Sequence, residues 1–203
     1  MKYLGSTSLQ EFIERDSGEK TNLKSNTLRI LVALCQEGIQ NSGVFGVVDD
    51  PDGLRRTLRQ TSPFEELLEH EPELLNPILT LAKQGPPDWD VKVGLPITAE
   101  YRAALTPLFR MRLIHLIGCF SPRPAPDSVI DLLCATIASD GPGNFAAEQI
   151  LERMGTVRAI GHLRARVRKL QFLRLFGDRV MRTSTIDRTT QLIAHIERGT
   201  RQS

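Results

Sequence analysis

A cluster of basic side chains near the carboxyl end of the chain is the part of the sequence best suited to bind phosphate. Its members are Arg158, Arg164, Arg166, Arg168, Lys169 and Arg174. No acidic residue lies between Arg153 and Asp178, so ion pairs within one helix cannot neutralise these charges. Contacts to a nucleic-acid backbone need little beyond arrayed cations. We therefore expect these six residues to bind phosphates without reading base sequence.

The spacing of the same segment predicts an amphipathic helix. At about 100° per residue, one stripe of apolar side chains is expected in the core, and it comprises Ile160, Leu163, Val167 and Leu170. A line on the opposite side comprises Arg158, His162, Arg166 and Lys169. Phe172 falls at the helix end and is expected in the core, so the basic face would lack an aromatic side chain for base stacking.

Charge is divided unevenly along the chain. Residues 156–203 contain eleven basic and three acidic side chains, a net charge of +8, whereas residues 1–155 contain fifteen basic and twenty-one acidic ones, a net charge of −6. The total of +2 therefore conceals two opposed parts. Such a division indicates either a surface for a polyanion or acidic and basic surfaces that meet, within one molecule or between copies.

The densest acidic region offers a partner for the basic segment. It contains Glu65, Glu66, Glu69, Glu71 and Glu73. Acids of this kind also favour helix N-termini and keep a surface soluble. If they meet the basic helix of a second copy, the contact is head-to-tail and builds rings or filaments. We expect self-association through Glu65, Glu66 and Glu69, and hence a homo-oligomer.

Catalytic and metal sites find little support in the sequence. The histidines are isolated from one another and show no HxxxH or HExxH spacing; they are His70, His115, His162 and His195. We find no GxSxG motif, P-loop or dinucleotide-binding glycine pattern. His115 lies in an apolar segment and is expected to be a core residue. The sequence therefore predicts a non-enzymatic protein with no catalytic residue, no metal site and no cofactor.

The cysteines indicate a reducing compartment. Cys35, Cys119 and Cys134 are far apart and each lies in an apolar run, which is typical of buried thiols rather than of disulfides or zinc ligands. No apolar run approaches the roughly 18 residues that span a bilayer, and the first residues lack the apolar core of a signal peptide. We expect a cytoplasmic protein with no membrane span.

The elements that would carry these residues are helices almost throughout. Residues 28–35 form a strongly apolar segment expected to be the central helix, and Thr98 opens a long helix that contains Pro107. Residues 43–48 are the best strand candidate, although a buried loop fits them equally well. The sequence predicts an all-α fold of about eight or nine helices with at most one or two short strands.

The proline-rich stretch at residues 121–126 is the best boundary between two packed lobes. An acidic lobe would cover residues 1–120 and a basic lobe residues 127–203, unless the two pack as one domain. A helix-turn-helix over residues 128–166, with its turn at residues 140–143, is conceivable, but that turn is long and contains proline.

Two functions from different classes follow from these observations. The leading one is a non-enzymatic, self-associating, nucleic-acid-binding protein, with RNA favoured as the ligand. A small viral or phage nucleocapsid or structural protein fits that description, as does an accessory subunit of an RNA–protein complex. The alternative is a helical protein–protein interaction module (an effector, adaptor or scaffold) whose basic helix docks on an acidic partner.

Overall fold

The protein is an all-α protein, as the sequence predicts. The computed structural model describes Glu11 and residues 24–36, 51–91, 94–139, 143–173 and 179–201. These residues form nine helices and one small two-stranded sheet. The chain divides into two compact units, Met1–Pro122 (unit 1) and Arg123–Ser203 (unit 2). Three predicted features lie outside the described residues: the strand candidate at residues 43–48, residues 140–142 of the proposed turn, and Arg174.

Unit 1 is organised around its last and longest helix. Its elements are α1 (Ser25–Gln36), α2 (Pro51–Arg59), α3 (Glu66–Glu69), α4 (Glu71–Gln84), β1 (Trp89–Asp90), β2 (Leu95–Pro96) and α5 (Ala99–Phe120). Helix α5 packs against α1, α2 and α4. The strands pair antiparallel, with Trp89 opposite Pro96 and Asp90 opposite Leu95. Pro107 lies inside α5, so the proline does not end that helix.

Helix α1 is buried on nearly all sides, which confirms the prediction for this segment. Leu28, Leu31 and Leu34 are each 0% exposed. An apolar side chain in such a position typically contributes about 1.5–3 kcal/mol through its removal from water. These leucines therefore belong to the main core of unit 1.

By length and composition alone, α5 could cross a membrane, since its mean hydropathy over an 18-residue window is 1.3. Half of that window is buried inside the protein, and the helix contains Arg112, which is 0% exposed. The Nη1 atom of Arg112 donates a hydrogen bond of 2.7 Å to the carbonyl oxygen of Cys35, near the end of α1. Helix α5 packs on three other helices, and its Arg112 donates to a carbonyl at the end of one of them. The high hydropathy of α5 is therefore explained by its position in the core of unit 1.

The described residues of unit 2 form four helices: α6 (Asp127–Ala138), α7 (Asn144–Met154), α8 (Arg158–Leu173) and α9 (Arg179–Arg201). Helix α8 packs on α6 and α9, and α7 packs on the same two helices. Gly155 separates α7 from α8. It adopts a left-handed conformation with φ of 61° and donates to the carbonyl of Leu151 at 3.1 Å, which is the usual way for a glycine to end a helix.

Candidate nucleic-acid interface

Helix α8 carries most of the predicted phosphate-binding residues, and its packing defines which of them face solvent. Its buried side chains are Ala159, Ile160, Leu163, Arg166 and Leu170. Val167, which we expected in the stripe, is half-buried. The buried face thus lies slightly to one side of the predicted stripe and includes a basic residue.

The predicted exposed position of Arg166 is wrong. Its side chain is buried, with the residue 6% exposed, and Nη1 donates a hydrogen bond to the carbonyl oxygen of Ile137 at the end of α6. The last carbonyls of a helix have no partner within that helix, and the aliphatic stem of an arginine packs well among apolar groups. Arg166 therefore stabilises the α6–α8 contact and is not available to an external phosphate.

Two other predicted residues, Arg158 and Arg164, are paired with acids of unit 2. Arg158 forms ion pairs with Asp127 and Asp131 of α6, and the Nη2–Oδ2 distance to Asp131 is 3.1 Å. Nη2 of Arg164 lies 2.5 Å from Oε1 of Glu197 in α9. The arginine side chains are still 44% and 61% exposed. Part of the basic helix is thus docked on the unit's own acids.

Arg168 and Lys169 keep their charge at the surface. Both side chains are exposed, and neither forms an ion pair within the part of the chain that the structure describes. They are consecutive residues near the end of α8. Of the six predicted residues, these two present unneutralised cations to solvent, whereas Arg174 lies outside the described residues.

Phe172 also differs from the prediction, which placed it in the core. It is 64% exposed and follows Lys169 by three residues on α8. An aromatic ring therefore does stand on the basic face. Periodicity could not predict this exposure, because the exposure of a side chain at the end of a helix depends on how neighbouring helices pack.

A groove between α6 and α8 adjoins the same surface. It has a volume of about 290 Å³, and its lining includes Cys134, Ala138, Leu163 and Leu170 together with His162 and Lys169. The apolar members come from facing sides of the two helices. This groove arises from tertiary packing, so no spacing in the sequence could predict it.

The predicted self-association residues lie in unit 1 and are not equivalent. Glu65 and Glu69 are exposed. Glu66 accepts hydrogen bonds from Nδ2 of Asn26 at 2.9 Å and from Oγ1 of Thr27 at 2.8 Å. Its carboxylate therefore ties α3 to the start of α1. The exposed acidic surface is smaller than the sequence suggests.

The three cysteines are free thiols and all are buried, as predicted. Burial raises the pKa of Cys35 to about 12, that of Cys119 to about 12 and that of Cys134 to about 11. Thiols in this state are protonated at neutral pH and are poor nucleophiles and metal ligands. Among the described residues, no three His, Cys, Asp or Glu side chains are grouped so that they could hold a metal ion.

Comparisons with models of known protein families, with curated proteins and with solved structures give no match for this chain.

Proposed function

We propose that the protein is a non-enzymatic nucleic-acid-binding protein that contacts the phosphate backbone through the exposed face of α8. The observation that carries the proposal is the pair Arg168 and Lys169, two exposed cations with no ion pair to a described residue. They belong to unit 2, which spans residues 123–203 and contains thirteen basic and eight acidic residues, a net charge of +5. Such a field attracts a polyanion and speeds its encounter.

Arg164 extends this surface. Its ion pair with Glu197 lies at the surface, with the arginine side chain 61% and the glutamate side chain 33% exposed, and surface pairs contribute only about 0–1 kcal/mol. A phosphate can therefore compete with Glu197 for the guanidinium. Arg158 is held by two carboxylates and is a weaker candidate. Arg166 takes no part.

RNA is the favoured ligand, and copies of the chain would coat it side by side. Glu65 and Glu69 are the residues that we propose for contacts between copies, since their carboxylates are exposed. A nucleocapsid or another structural protein, including one from a virus or phage, works in this way: it binds backbone without sequence preference and associates along the strand.

A second candidate function is favoured by one observation, the groove between α6 and α8. Its volume of about 290 Å³ and apolar lining, with Lys169 beside them, would suit the apolar face of a short acidic helix. In that case the protein is an interaction module and Lys169 binds a carboxylate instead of a phosphate.

The test removes the two exposed cations in a double variant, Arg168→Gln/Lys169→Gln. Its matched control, Arg56→Gln/Arg59→Gln, removes two exposed cations of α2 in unit 1. Affinity for a labelled oligouridylate is measured by fluorescence anisotropy over a range of salt concentrations. Each lost phosphate contact lowers the slope of log K against log salt by about 0.7–0.9, so the double variant should lose roughly 1.4–1.8 units.

The control should keep the wild-type slope and affinity. If the double variant binds with the same affinity and slope as the wild type, the proposed function is wrong. If instead the wild type binds an acidic amphipathic peptide more tightly than the oligouridylate, and the double variant loses that binding, the interaction module is the correct function.

A further inference from the structure

The groove between α6 and α8 shares a residue with the proposed phosphate-binding surface. Lys169, one of the two exposed cations of that surface, lines the groove together with apolar side chains from both helices. A nucleotide whose phosphate is bound by Lys169 therefore has its base at the edge of an apolar cleft. The groove is thus continuous with the surface on which the proposed function rests.

Small side chains leave this space open. Ala135 and Ala138 line it on α6 and Ala165 lines it on α8, and all three residues are exposed. Leu163 and Leu170, which are buried, also belong to the lining. The volume of about 290 Å³ lies just below the range of about 300–1,000 Å³ that is typical of small-ligand sites. The groove therefore suits one flat ring better than a larger ligand.

Two contacts between α6 and α8 fix the walls of the groove. Nη2 of Arg158 lies 3.1 Å from Oδ2 of Asp131, toward the start of both helices. Farther along, the guanidinium of Arg166 donates to the carbonyl oxygen of Ile137. A ligand that enters a site already formed does not have to order it, which lowers the cost of binding.

The charge of the lining favours a base over an acidic helix as the occupant. Besides Lys169, the groove is lined by Asp131, whose carboxylate repels the acids of such a helix. A carboxylate has about four acceptor positions, so Asp131 can accept a further N–H beside its contact with Arg158. Every nucleobase carries at least one N–H on its pairing edge, and this edge is open to a protein only when the base is unpaired.

We infer that the groove between α6 and α8 holds one unpaired base of a strand whose phosphates are bound by Arg168 and Lys169, so that the ligand of this surface is single-stranded nucleic acid. This inference rests on the proposed function. The apolar lining contacts the faces of the base, and Asp131 accepts from its pairing edge. In a duplex the bases are stacked and paired, so only the cations contribute to binding.

The test fills the groove from either wall in the full chain, with the separate variants Ala135→Leu and Ala165→Leu. Both alanines are exposed, so the substitutions should change stability by about 0.5 kcal/mol or less, which denaturant titration verifies. Ala194→Leu, at an exposed alanine of α9, is the matched control. The labelled probes have equal length: oligouridylate, oligothymidylate, a deoxyribose-phosphate strand that is abasic throughout, and a DNA duplex.

For both base-carrying single strands we expect each filled variant to bind about tenfold more weakly or worse, since a misfit of one methylene in an apolar pocket typically costs about 10- to 200-fold. The salt slope should be unchanged, because the phosphate contacts remain. Affinity for the abasic strand and for the duplex should match the wild type, and Ala194→Leu should bind every probe like the wild type. A larger loss on oligouridylate than on oligothymidylate would support the inference with RNA as the preferred strand.

Three results would overturn it. In the first, the filled variants lose affinity for the abasic strand or the duplex as much as for the other strands, so the substitutions disturb the cations and not a base. In the second, they bind single strands like the wild type although Arg168→Gln/Lys169→Gln weakens binding; the base site is then wrong and the phosphate-binding function stands. In the third, they lose only an acidic amphipathic peptide, which makes the groove a peptide site. If neither the filled variants nor the double variant affects binding of any nucleic acid, the proposed function itself fails.

Discussion

Sequence and structure predict opposite behaviour for Arg166, so replacing this residue shows which of the two predictions is correct. As a surface cation it would bind phosphate, and its loss would weaken binding without affecting folding. The structure places its guanidinium against the carbonyl of Ile137, a residue that is 2% exposed. Arg166→Met replaces the arginine by an unbranched apolar side chain that has no hydrogen-bond donor. We therefore expect this variant to destabilise the fold.

The magnitude follows from two opposed effects. A hydrogen bond to a charged group contributes about 1.5–3 kcal/mol, and its loss leaves a buried carbonyl without this donor. The cost of burying the guanidinium disappears in the variant and offsets part of that loss. We expect a net decrease of about 1–3 kcal/mol in the free energy of unfolding, which corresponds to a fall of at least about 4 °C in Tm for a unit of this size.

Denaturant titration followed by circular dichroism measures this change, and anisotropy with an oligouridylate measures binding. Arg168→Met is the control on the same helix, since its side chain is exposed; a surface substitution of this kind changes stability by about 0.5 kcal/mol or less. The control should lose affinity and keep stability, and Arg166→Met should do the reverse. A stable Arg166→Met variant with weakened binding would show that this arginine faces the ligand.

Two further predictions concern helix stability and assembly. Gly161→Ala should raise the free energy of unfolding by about 0.5–1 kcal/mol, because glycine is a poor helix former and the added methyl group meets no atom within 4 Å. Denaturant titration measures this change. A loss of stability would contradict the prediction and would indicate that the methyl group clashes with a neighbouring residue of α8. Glu65→Lys/Glu69→Lys should reduce the size of the oligomer seen by light scattering at low ionic strength, and salt should do the same as the Debye length falls from about 10 Å at 0.1 M to about 3 Å at 1 M. A wild type that stays monomeric at low salt, with or without nucleic acid, contradicts the assembly prediction.

The fold was predictable because its local signals agree with one another. The largely apolar residues 28–35 form a helix that is buried nearly all round, and Thr98 caps α5 by accepting from the backbone of Tyr101 at 3.2 Å. Each signal acts over a few residues, and helical structure is largely determined at that range.

The candidate site was predictable only in part, because exposure depends on neighbouring helices. A helical wheel places Arg166 beside Leu163 and Leu170, at the edge of the apolar stripe, but it cannot show that a carbonyl of α6 lies within reach of the guanidinium. Nor can it show that Asp127, Asp131 and Glu197 approach the basic helix from α6 and α9. For this reason, a count of basic residues overestimates the number of cations on α8 that have no acidic partner.

Arginine outnumbers lysine by twenty residues to six, and several of these arginines have a structural role. Arg112, Arg166 and Arg55 each donate to the penultimate carbonyl of a neighbouring helix: Cys35 in α1, Ile137 in α6 and, at 2.5 Å, Cys119 in α5.

These carbonyls carry the partial negative charge of a helix C-terminus and lack intrahelical donors. A guanidinium suits this position better than an ammonium does, because it is less strongly hydrated and stays charged when buried. The same property explains why two of the three, Arg112 and Arg166, are buried. Arg112, Arg166 and Arg55 therefore join helices, whereas Arg168 is exposed and belongs to the surface proposed to bind phosphate.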